Sequence, residues 1–421
     1  MAPSSGAGKT TVTLGLLRAF RRNNTSVRAA KSGPDYIDPA FHAAACGTPS
    51  VNLDAWAMDE GSLRARALAQ GGSLLLVEGA MGVLDAAADG RGSAADLACI
   101  LGLPVVLIQD AAKQGQSAVL PAVALRHMRP DVTVAGVILN RVGSKRHLDL
   151  ARSPFDEAGI PVFGALHRTE ALTLPERHLG LVQAGETANL NTFLDGLASE
   201  VASSIDLEAL ALAAVPLAPT KTQVRTLPPL GQRIAVAQDA AFSFIYPHVL
   251  NDWRAAGAEV LLFSPLDNAS PASTADAIYL PGGYPELHAG RLAQAEGFHQ
   301  GLRHAAERGA RVYGECGGYM VLGRALIDGD GVAHQMTGLL PLVSSFATRQ
   351  LTLGYRRLVP QAAAPWHGEL AGHEFHYATV VEEGAAAPLF QATDAAGTRR
   401  PDMGLQSGKV AGSFAHVIAP A

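Results

Sequence analysis

The first dozen residues constrain the fold of this chain more than any other stretch. The run Ser4-Ser5-Gly6-Ala7-Gly8-Lys9-Thr10-Thr11 leads directly into leucines at helical spacing. In such a turn, backbone N–H groups and the start of the helix point at phosphate oxygens, the lysine adds positive charge, and a threonine hydroxyl can bind Mg²⁺. Glycine lets the backbone approach the ligand closely. The run therefore predicts a phosphate-binding loop for a nucleotide.

The motif departs from the common pattern at two points. Pro3 stands where the strict form has glycine, and only Met1 and Ala2 precede the loop, where a buried strand normally lies. Either the start of the chain is truncated, or another segment supplies the packing of that strand. An isolated motif of this kind is an ordinary solvated turn about half the time. Its interpretation therefore depends on the rest of the chain.

Composition narrows the class of protein. The chain has 421 residues, of which 48% are hydrophobic and 17% charged, with a formal net charge of −5. This describes a soluble protein of two or three domains. Mild acidity without a basic run argues against nucleic-acid binding, and no apolar stretch approaches the roughly 20 residues of a membrane span. Three cysteines without regular spacing favour a reducing compartment, so we expect a cytoplasmic protein.

The first half alternates short apolar runs with helical patterns. The apolar runs lie at residues 73–77, 104–108, 132–139 and 160–163, and the helical patterns include residues 115–128 and 144–158. This alternation predicts an α/β fold with a mostly parallel, doubly wound sheet. We place this domain at residues 1–214, followed by a proline-rich linker at 215–231 and a second α/β domain at 232–421.

Polar residues follow the apolar runs of the first domain, at the sheet edge where ligands collect. Glu78 comes directly after one run and is the best candidate for a second Mg²⁺ ligand beside Thr10, and Asn140 follows another run. The segment Lys31–His42 is dense in carboxylates and has rigid Gly-Pro and Asp-Pro steps. We expect it to hold a metal or orient a substrate, although such a segment read alone is more often just a turn.

A cysteine organises the chemistry of the second half. The run Tyr313-Gly314-Glu315-Cys316-Gly317-Gly318 reads as a strand, a tight turn and a helix, with the thiol at the corner of a nucleophile elbow. We expect the helix start to lower the pKa of the thiol, and its first N–H to stabilise an oxyanion. The Pro-Gly-Gly run at residues 281–283 can present a second N–H, and His416 is a candidate general base.

These segments together resemble the cobyrinic acid and hydrogenobyrinic acid a,c-diamide synthases of cobalamin biosynthesis, over essentially the full length of the chain. The matching segments are residues 4–11, 31–42, 78–85, 116–117, 139–142, 177–181, 280–286, 314–319, 372–377 and 412–416. The resemblance implies an N-terminal synthetase domain similar to dethiobiotin synthetase and a C-terminal class I glutamine amidotransferase domain. It also implies ATP-dependent amidation of the a and c acetate side chains of a corrin ring, with Mg²⁺, ATP, L-glutamine and the corrinoid as ligands.

The resemblance further implies roles for single residues. ATP would be bound by Gly6, Gly8, Lys9, Thr10, Thr11, Lys31 and Asn140, the last against the adenine, and Mg²⁺ by Thr10 and Glu78. The amidation centre would use Asp35 and Asp85, and the corrinoid would contact Tyr36, Asp38 and His42. Glutamine would be attacked by Cys316, with His416 as base and the N–H groups of Gly283 and Gly317 as the oxyanion site.

Several alternatives stay open at the level of sequence. Triad glutaminases carry His-x-Glu, whereas Ile418 stands two residues after His416, so another group must orient the histidine or none does; Glu374 is one candidate. The substrate could instead be nickel sirohydrochlorin or another corrin side chain. A carboxylase with a vestigial amidase half and a P-loop partitioning ATPase are weaker alternatives. Cobalt-containing and metal-free corrins are not distinguished, and a homodimer is one option for the assembly.

Overall fold

A boundary after Val224 divides the chain into two units, Met1–Val224 and Arg225–Ala421, in this computed structural model. The structure describes residues 1–168, 176–177, 180–181, 183–187, 189–361 and 364–421. The boundary falls inside the predicted linker at residues 215–231. His178 and Leu179, which belong to one of the segments that carry the resemblance, lie outside the described residues.

The first unit is built of helices and parallel strands, which confirms the predicted α/β class. Its helices are α1 Lys9–Arg22, α2 Asp38–Cys46, α3 Glu60–Ala69, α4 Ala94–Leu101, α5 Leu120–Met128, α6 Lys145–Glu157, α7 Leu190–Ser204 and α8 Leu207–Leu212. Its strands are β1 Val27–Ser32, β2 Val51–Leu53, β3 Leu74–Glu78, β4 Val105–Asp110, β5 Val134–Val142, β6 Val162–His167, β7 Glu176–Arg177 and β8 Gly180–Leu181. The apolar runs and helical patterns of the sequence correspond to β3 to β6 and to α5 and α6.

Local sequence accounts for where several of these helices begin and end. Helix α4 starts with a capping box, in which Ser93 accepts from the backbone N–H of Asp96 and the Asp96 side chain accepts from that of Ser93. It stops at Gly102, whose left-handed conformation suits glycine. Helix α1 buries its apolar face and packs along α7, where Arg18 forms an ion pair with Asp195 at 2.8 Å.

Strands β1 to β6 form two parallel sheets, of order β2-β1-β3 and β4-β5-β6, with an apolar space between β3 and β4. Strands β7 and β8 form a separate antiparallel pair. The amino group of Met1 donates to the Val106 carbonyl at 2.9 Å, and Ile108 N–H donates to the Met1 carbonyl at 2.7 Å, so Met1 lies along β4. Beside it lies an apolar cavity of about 380 Å³, which is lined by residues of β3 and β4.

The second unit is organised around one ten-stranded sheet. Its helices are α9 Pro247–Ala255, α10 Ala289–Ala293, α11 Glu296–Glu307 and α12 Gly317–Leu322. Its strands are β9 Arg233–Ala237, β10 Glu259–Phe263, β11 Ala277–Leu280, β12 Arg311–Glu315, β13 Ala325–Ile327, β14 Ala333–Gln335, β15 Leu342–Ser345, β16 Thr352–Pro360, β17 Leu370–His376, β18 Thr379–Glu383, β19 Ala387–Asp394, β20 Met403–Ser407, β21 Val410–Ser413 and β22 His416–Pro420.

The order of this sheet is β10-β9-β11-β12-β21-β20-β19-β16-β17-β22, and a smaller sheet has the order β14-β13-β15-β18. Strands β10, β9, β11, β12 and β21 are parallel, and the pairs from β20 to β22 are antiparallel. Strand β11 and most of β9 and β12 are buried, as expected for parallel strands covered on both faces. Among the described residues, no helix is long and apolar enough to cross a membrane.

Candidate functional site

The loop at residues 4–8 has the backbone of a phosphate cradle. Gly6 and Gly8 have φ values of 73° and 88°, in the left-handed region where a side chain is strained. Helix α1 begins directly after the loop, so its free N–H groups face the loop's concave side. The side-chain amide of Asn140 donates to the Ala7 carbonyl at 2.9 Å and fixes the loop to the end of β5.

Lys9 closes the loop on itself. Its ammonium donates to the Ser4 carbonyl at 3.1 Å, and the side chain is largely buried. Burial lowers the pKa of Lys9, and the positive charge of Lys31 lowers it further. A cation held in this way is attracted to an anionic ligand, because a phosphate would replace a neutral carbonyl as its partner.

A compact charged cluster lies beside the loop and joins three elements. The Lys31 ammonium at the end of β1 is paired with Asp38 of α2 and with Glu78 of β3, the latter at 2.9 Å. The Thr10 hydroxyl lies 2.7 Å from a Glu78 oxygen and 3.2 Å from an Asp38 oxygen. Register explains the meeting, because Lys31 and Glu78 are directly opposite in the parallel β1–β3 pair.

Burial and mutual charge set the protonation of this cluster. Burial alone would lower the pKa of Lys31, but the charges of Asp38 and Glu78 raise it well above its ordinary value. Burial alone would raise the pKa of Glu78, but Lys31 and His42 hold it well below. Burial, with the nearby Asp35 charge, raises the pKa of Asp38 to about 7. Glu78 is therefore the permanent anion and Asp38 the group that titrates near neutral pH.

The structure separates the predicted substrate residues into two groups. Asp35 and Asp38 line an open cavity of about 1110 Å³ that also contains the loop, Thr11 and Lys31. Tyr36 and His42 are not among the residues that line it. His42 is fully buried, with one ring nitrogen 2.7 Å from Glu78 and the other 3.3 Å from Ser50. The substrate role expected of His42 does not fit this position, because a fully buried ring cannot contact a corrin. Its position fits a support for Glu78.

Asp85 and Asn140 are used locally in the structure. Asp85 is exposed at the end of a turn, where it accepts from the Gly82 N–H at 2.7 Å. Its charge opposes, in small part, the lowering of the Lys9 pKa by burial. Asn140 binds the loop through its amide nitrogen, and its oxygen accepts from the Arg141 N–H at 2.9 Å. A β-carbon on Gly8 would collide with that amide nitrogen. One Nδ2 hydrogen and one Oδ1 lone pair remain for the expected contact of Asn140 with adenine, which stays a prediction.

Four basic side chains that sequence reasoning assigned to no site line the same cavity: Lys113, Arg141, His167 and Arg168. Arg141, near the carboxyl end of β5, has a left-handed backbone at φ 58° and pairs with Asp110 at 2.6 Å, and His167 is the last residue of β6, directly before Arg168. The signal for Arg141, His167 and Arg168 was the rule already applied to Glu78, since they lie at the carboxyl ends of parallel strands. They make this cavity suitable for an anionic ligand.

The donor set at Thr10 is compatible with Mg²⁺. A hydroxyl and two carboxylates converge there, and these hard oxygen donors are the ligands that Mg²⁺ prefers. Within the described ranges, no three or more His, Cys, Asp or Glu side chains form a metal site by themselves.

The second unit contains a strained cysteine at a strand-to-helix turn. Cys316 has φ 47° and ψ −106°, and its N–H donates to the Ser413 carbonyl at 2.8 Å. The glycines around it allow close packing, because a β-carbon on Gly318 would collide with the Leu280 carbonyl. Strain of this kind in a non-glycine residue is typical of a nucleophile elbow.

The protonation of the thiol differs from the sequence-based expectation. Burial raises the pKa of Cys316 above its ordinary value, and the charge of Glu286 raises it further, while the Gly317 N–H acts in the opposite direction. Helix α12, with only six residues, was expected to lower the pKa. The expectation was wrong because desolvation outweighs one N–H and a short helix. The free site therefore holds a protonated thiol.

His416 and the predicted oxyanion donors surround this thiol. A β-carbon on Gly282 would lie 3.0 Å from His416 Nε2 and 3.3 Å from the Cys316 β-carbon, so Gly282 borders both side chains. A β-carbon on Gly317 would lie 3.1 Å from the Gly283 nitrogen, so these two peptides face each other. Burial lowers the pKa of His416 to about 3, so the imidazole is neutral in the free site.

Glu315 and Glu374, two of the carboxylates near Cys316 and His416, have different hydrogen-bond partners. Glu315 accepts from the Tyr279 hydroxyl at 2.7 Å and from the Val417 N–H at 3.0 Å. Glu374 accepts from Arg356 at 2.6 Å and lies 3.3 Å from a His376 ring nitrogen. Glu374, the candidate suggested by sequence for orienting His416, is therefore committed to other partners.

Comparison with known proteins agrees with this division of the chain. Residues 1–182 match the model of the CobQ/CobB/MinD/ParA nucleotide binding domain, and residues 233–421 match that of the CobB/CobQ-like glutamine amidotransferase domain. Proteins named hydrogenobyrinate a,c-diamide synthase from Sinorhizobium sp and Rhizobium meliloti are 53% and 56% identical, and each alignment covers 99% of this chain and 97% of the relative. The protein of the same name from Rhodobacter capsulatus is 52% identical with the same coverage.

Proposed function

Because the chain belongs to the family of hydrogenobyrinate a,c-diamide synthases, we propose that it amidates the a and c acetate carboxylates of hydrogenobyrinic acid, with glutamine as nitrogen donor and ATP as energy source. The observation that carries the proposal is the presence, on one chain, of a loop with a charged cluster and of a cysteine elbow with a buried histidine. The first arrangement suits a nucleotide and the second suits an amide. Both are needed to turn a carboxylate into an amide with glutamine nitrogen.

The nucleotide half addresses a chemical difficulty of the substrate. A carboxylate resists attack by ammonia because it is already negative, so an oxygen must first become a leaving group. Transfer of the ATP γ-phosphoryl group to the carboxylate gives an acyl phosphate, and attack by ammonia then expels phosphate. We assign Lys9 and the loop N–H groups to the ATP phosphates, and Lys31 to the orientation of Asp38 and Glu78.

We also propose Mg²⁺ as a cofactor of this half. Thr10 and Glu78 would hold it, because their oxygens already converge at 2.7 Å. When bound, the ion would spread the negative charge of the phosphates. Asp35 and Asp38, which line the same cavity, are proposed to face the carboxylate under amidation, and the exposed Asp85 is proposed to contribute to the same step.

The amidase half would supply the ammonia. The Cys316 sulfur attacks the side-chain amide carbon of glutamine, and its proton passes to His416. The N–H groups of Gly283 and Gly317 stabilise the oxyanion, and His416 returns the proton as the C–N bond breaks and ammonia leaves. Water then hydrolyses the thioester to glutamate. This sequence needs a neutral imidazole in the free site, which agrees with the pKa of about 3 for His416.

Substrate identity is the finer part of the proposal. The alignments with this chain cover 97% of each of these relatives, and the relatives carry the name of the enzyme that acts on the metal-free corrinoid. That name favours hydrogenobyrinic acid over the cobalt compound. An amidase half with nucleophile and base disfavours a partitioning ATPase and a vestigial amidase. Nickel sirohydrochlorin remains the alternative to test. We further propose a cytoplasmic location from cysteine usage, and a homodimer remains a prediction for light scattering to check.

The amidase assignment is tested with Cys316→Ala. The variant should amidate hydrogenobyrinic acid with ammonium salts as well as the unaltered chain does, and should lose amidation with glutamine. Loss of both activities despite intact folding would contradict a separate role for the cysteine. Equal use of glutamine by the variant would contradict the thioester mechanism.

A further inference from the structure

The histidine of this amidase site lacks the carboxylate that sequence reasoning looks for. Residues 417 and 418, which follow His416 on β22, are valine and isoleucine. A histidine that acts as base works best when a carboxylate fixes its ring and stabilises the imidazolium. The Nδ1 atom of His416 lies 3.8 Å from Glu315 Oε2, and both side chains are buried. We propose that Glu315, the residue directly before the cysteine, is the positioning carboxylate for His416.

Glu315 is held in place from three strands. It ends β12, its Oε2 accepts from the Tyr279 hydroxyl of β11, and its Oε1 accepts from the Val417 N–H of β22. The bond from Val417 ties the Glu315 carboxylate to the residue directly after His416, so the backbone of β22 fixes the carboxylate next to the imidazole. The elbow thus carries the nucleophile and the carboxylate on adjacent residues, and the histidine comes from another strand.

The other nearby carboxylates are directed elsewhere. Glu374 is paired with Arg356 at 2.6 Å. The charge of Glu286 acts on the thiol and raises the pKa of Cys316. Glu315 is the carboxylate that the described residues place within 4 Å of His416.

The proposed role is electrostatic and geometric. When the thiol proton moves to Nε2 of His416, the ring becomes a cation in a buried site, where an unpaired charge is costly. An ionised Glu315 facing Nδ1 offsets that cost and favours the tautomer with a proton on Nδ1. His416 ends the step neutral, because it passes the thiol proton on to the leaving nitrogen as ammonia forms. The inference deepens the proposed function and rests on it, because it assumes that Cys316 and His416 hydrolyse glutamine.

The surroundings of Glu315 give this role a pH signature. Burial raises the pKa of Glu315 to about 7, against the lowering effect of the hydrogen bonds from Tyr279 and Val417 and of the nearby Tyr313 hydroxyl. The groups that face it are the two tyrosine hydroxyls, whose pKa values burial raises well above the ordinary value, and the Cys316 and His416 side chains. None of these titrates near pH 7 in the free site. Glutamine turnover should therefore fall as pH drops through about 7 and Glu315 gains a proton.

The test is glutamine hydrolysis by Glu315→Gln across the pH range. We expect kcat to fall about 100-fold, within the usual range for general acid–base catalysis. The acid limb of the kcat/KM profile should disappear, because glutamine does not titrate. Amidation of hydrogenobyrinic acid with ammonium salts should keep its rate, which reports an intact fold and synthetase half. Glu296→Gln, at an exposed position of α11, is the matched control and should behave as the unaltered chain does.

A second variant keeps the test decisive if Glu315→Gln does not fold. Tyr279→Phe removes one donor to the carboxylate, so the acid limb should move to higher pH with the base intact. An unmoved limb, or near-normal turnover by Glu315→Gln, would overturn the positioning role. Absence of glutamine hydrolysis in the unaltered chain would instead overturn the proposed function. The two failures are therefore distinguishable.

Discussion

Gly282 lies directly against both the histidine and the cysteine of the amidase site. A β-carbon there would overlap with His416 and lie 3.3 Å from the Cys316 β-carbon. Gly282→Ala should therefore displace the base and lower glutamine hydrolysis by at least about 100-fold. Amidation with ammonium salts should continue. The measurement is steady-state kinetics with each nitrogen source.

Gly290→Ala is the control for that substitution. Gly290 lies in α10 of the same unit, and its nearest neighbour would be 3.6 Å away, an ordinary contact. This variant should keep both activities. Normal glutamine turnover by Gly282→Ala would show that the ring and thiol do not adopt the described arrangement in the active enzyme.

The raised pKa of the Cys316 thiol predicts its reactivity in the absence of glutamine. Only the thiolate is alkylated by iodoacetamide, so labelling of Cys316 should be slow at neutral pH and keep rising from about pH 7 to about pH 9.5. Peptide mass spectrometry would follow Cys316 separately from the exposed Cys99, which serves as the reference for access. A plateau of fast labelling near pH 7 would indicate a preformed thiolate–imidazolium pair.

At the residue scale, the sequence was sufficient to identify candidate site residues but not the burial, pKa shifts and distant contacts of their side chains. The loop, Cys316 and His416 were recognisable because glycine spacing and nucleophile turns are local patterns. The pKa direction of Cys316, the burial of His42 and the meeting of Glu315 with His416 depend on residues distant in the chain. No local pattern encodes desolvation or a contact across a hundred residues.

Strands β16 and β17 contribute a buried ion pair whose loss should destabilise the second unit. Arg356 and Glu374 are 6% and 8% exposed and lie 2.6 Å apart. Arg356→Met leaves a buried carboxylate without its cation and should cost about 3 to 5 kcal/mol. Adding Glu374→Met should recover much of that cost, because two apolar side chains replace the pair. Urea unfolding of the single and double variants measures both effects.

The same pair gives the second unit a predicted acid sensitivity. Burial tends to raise the pKa of Glu374, but the His376 hydrogen bond and the Arg356 charge hold it below its ordinary value. A carboxylate with a lowered pKa stabilises the fold above its unfolded pKa and loses that contribution as pH falls through the folded one. The stability difference between the unaltered chain and the double variant should therefore shrink below about pH 4.5. A constant difference would contradict an ionised Glu374.

At the scale of elements, the sequence predicted several of the parallel strands, but it did not predict the positions of the antiparallel strands of the second unit. The run at residues 104–108, for example, is continuous, apolar and bounded by turn residues, because most of β4 is buried in a parallel sheet. Strand β16 pairs with β19 and β17 with β22, both out of chain order, and the exposed residues of strands such as β16 and β18 interrupt the apolar pattern. Pairing of this kind is fixed by packing across the sheet.

At the scale of the whole molecule, the account predicts that the nucleotide loop serves amidation whatever the nitrogen source. Lys9→Ala removes the loop's cation, so ATP should bind at least about 100-fold more weakly, and amidation should fall with glutamine and with ammonium alike. Lys145→Ala, an exposed position in the same unit, is the control. Isothermal titration with ATP and Mg²⁺ measures the binding. Unchanged ATP affinity in Lys9→Ala would contradict the assignment of this loop to the ATP phosphates.

The central claim is that this chain moves nitrogen from glutamine onto two carboxylates of hydrogenobyrinic acid at the expense of ATP. The most direct test is mass spectrometry of the corrinoid after incubation with ATP, Mg²⁺ and glutamine labelled with ¹⁵N in its side-chain amide, with the cobalt corrinoid and nickel sirohydrochlorin in parallel. The account predicts two successive replacements of a hydroxyl by a labelled amino group on hydrogenobyrinic acid. Hydrolysis of glutamine with no labelled amide on that corrinoid would contradict it.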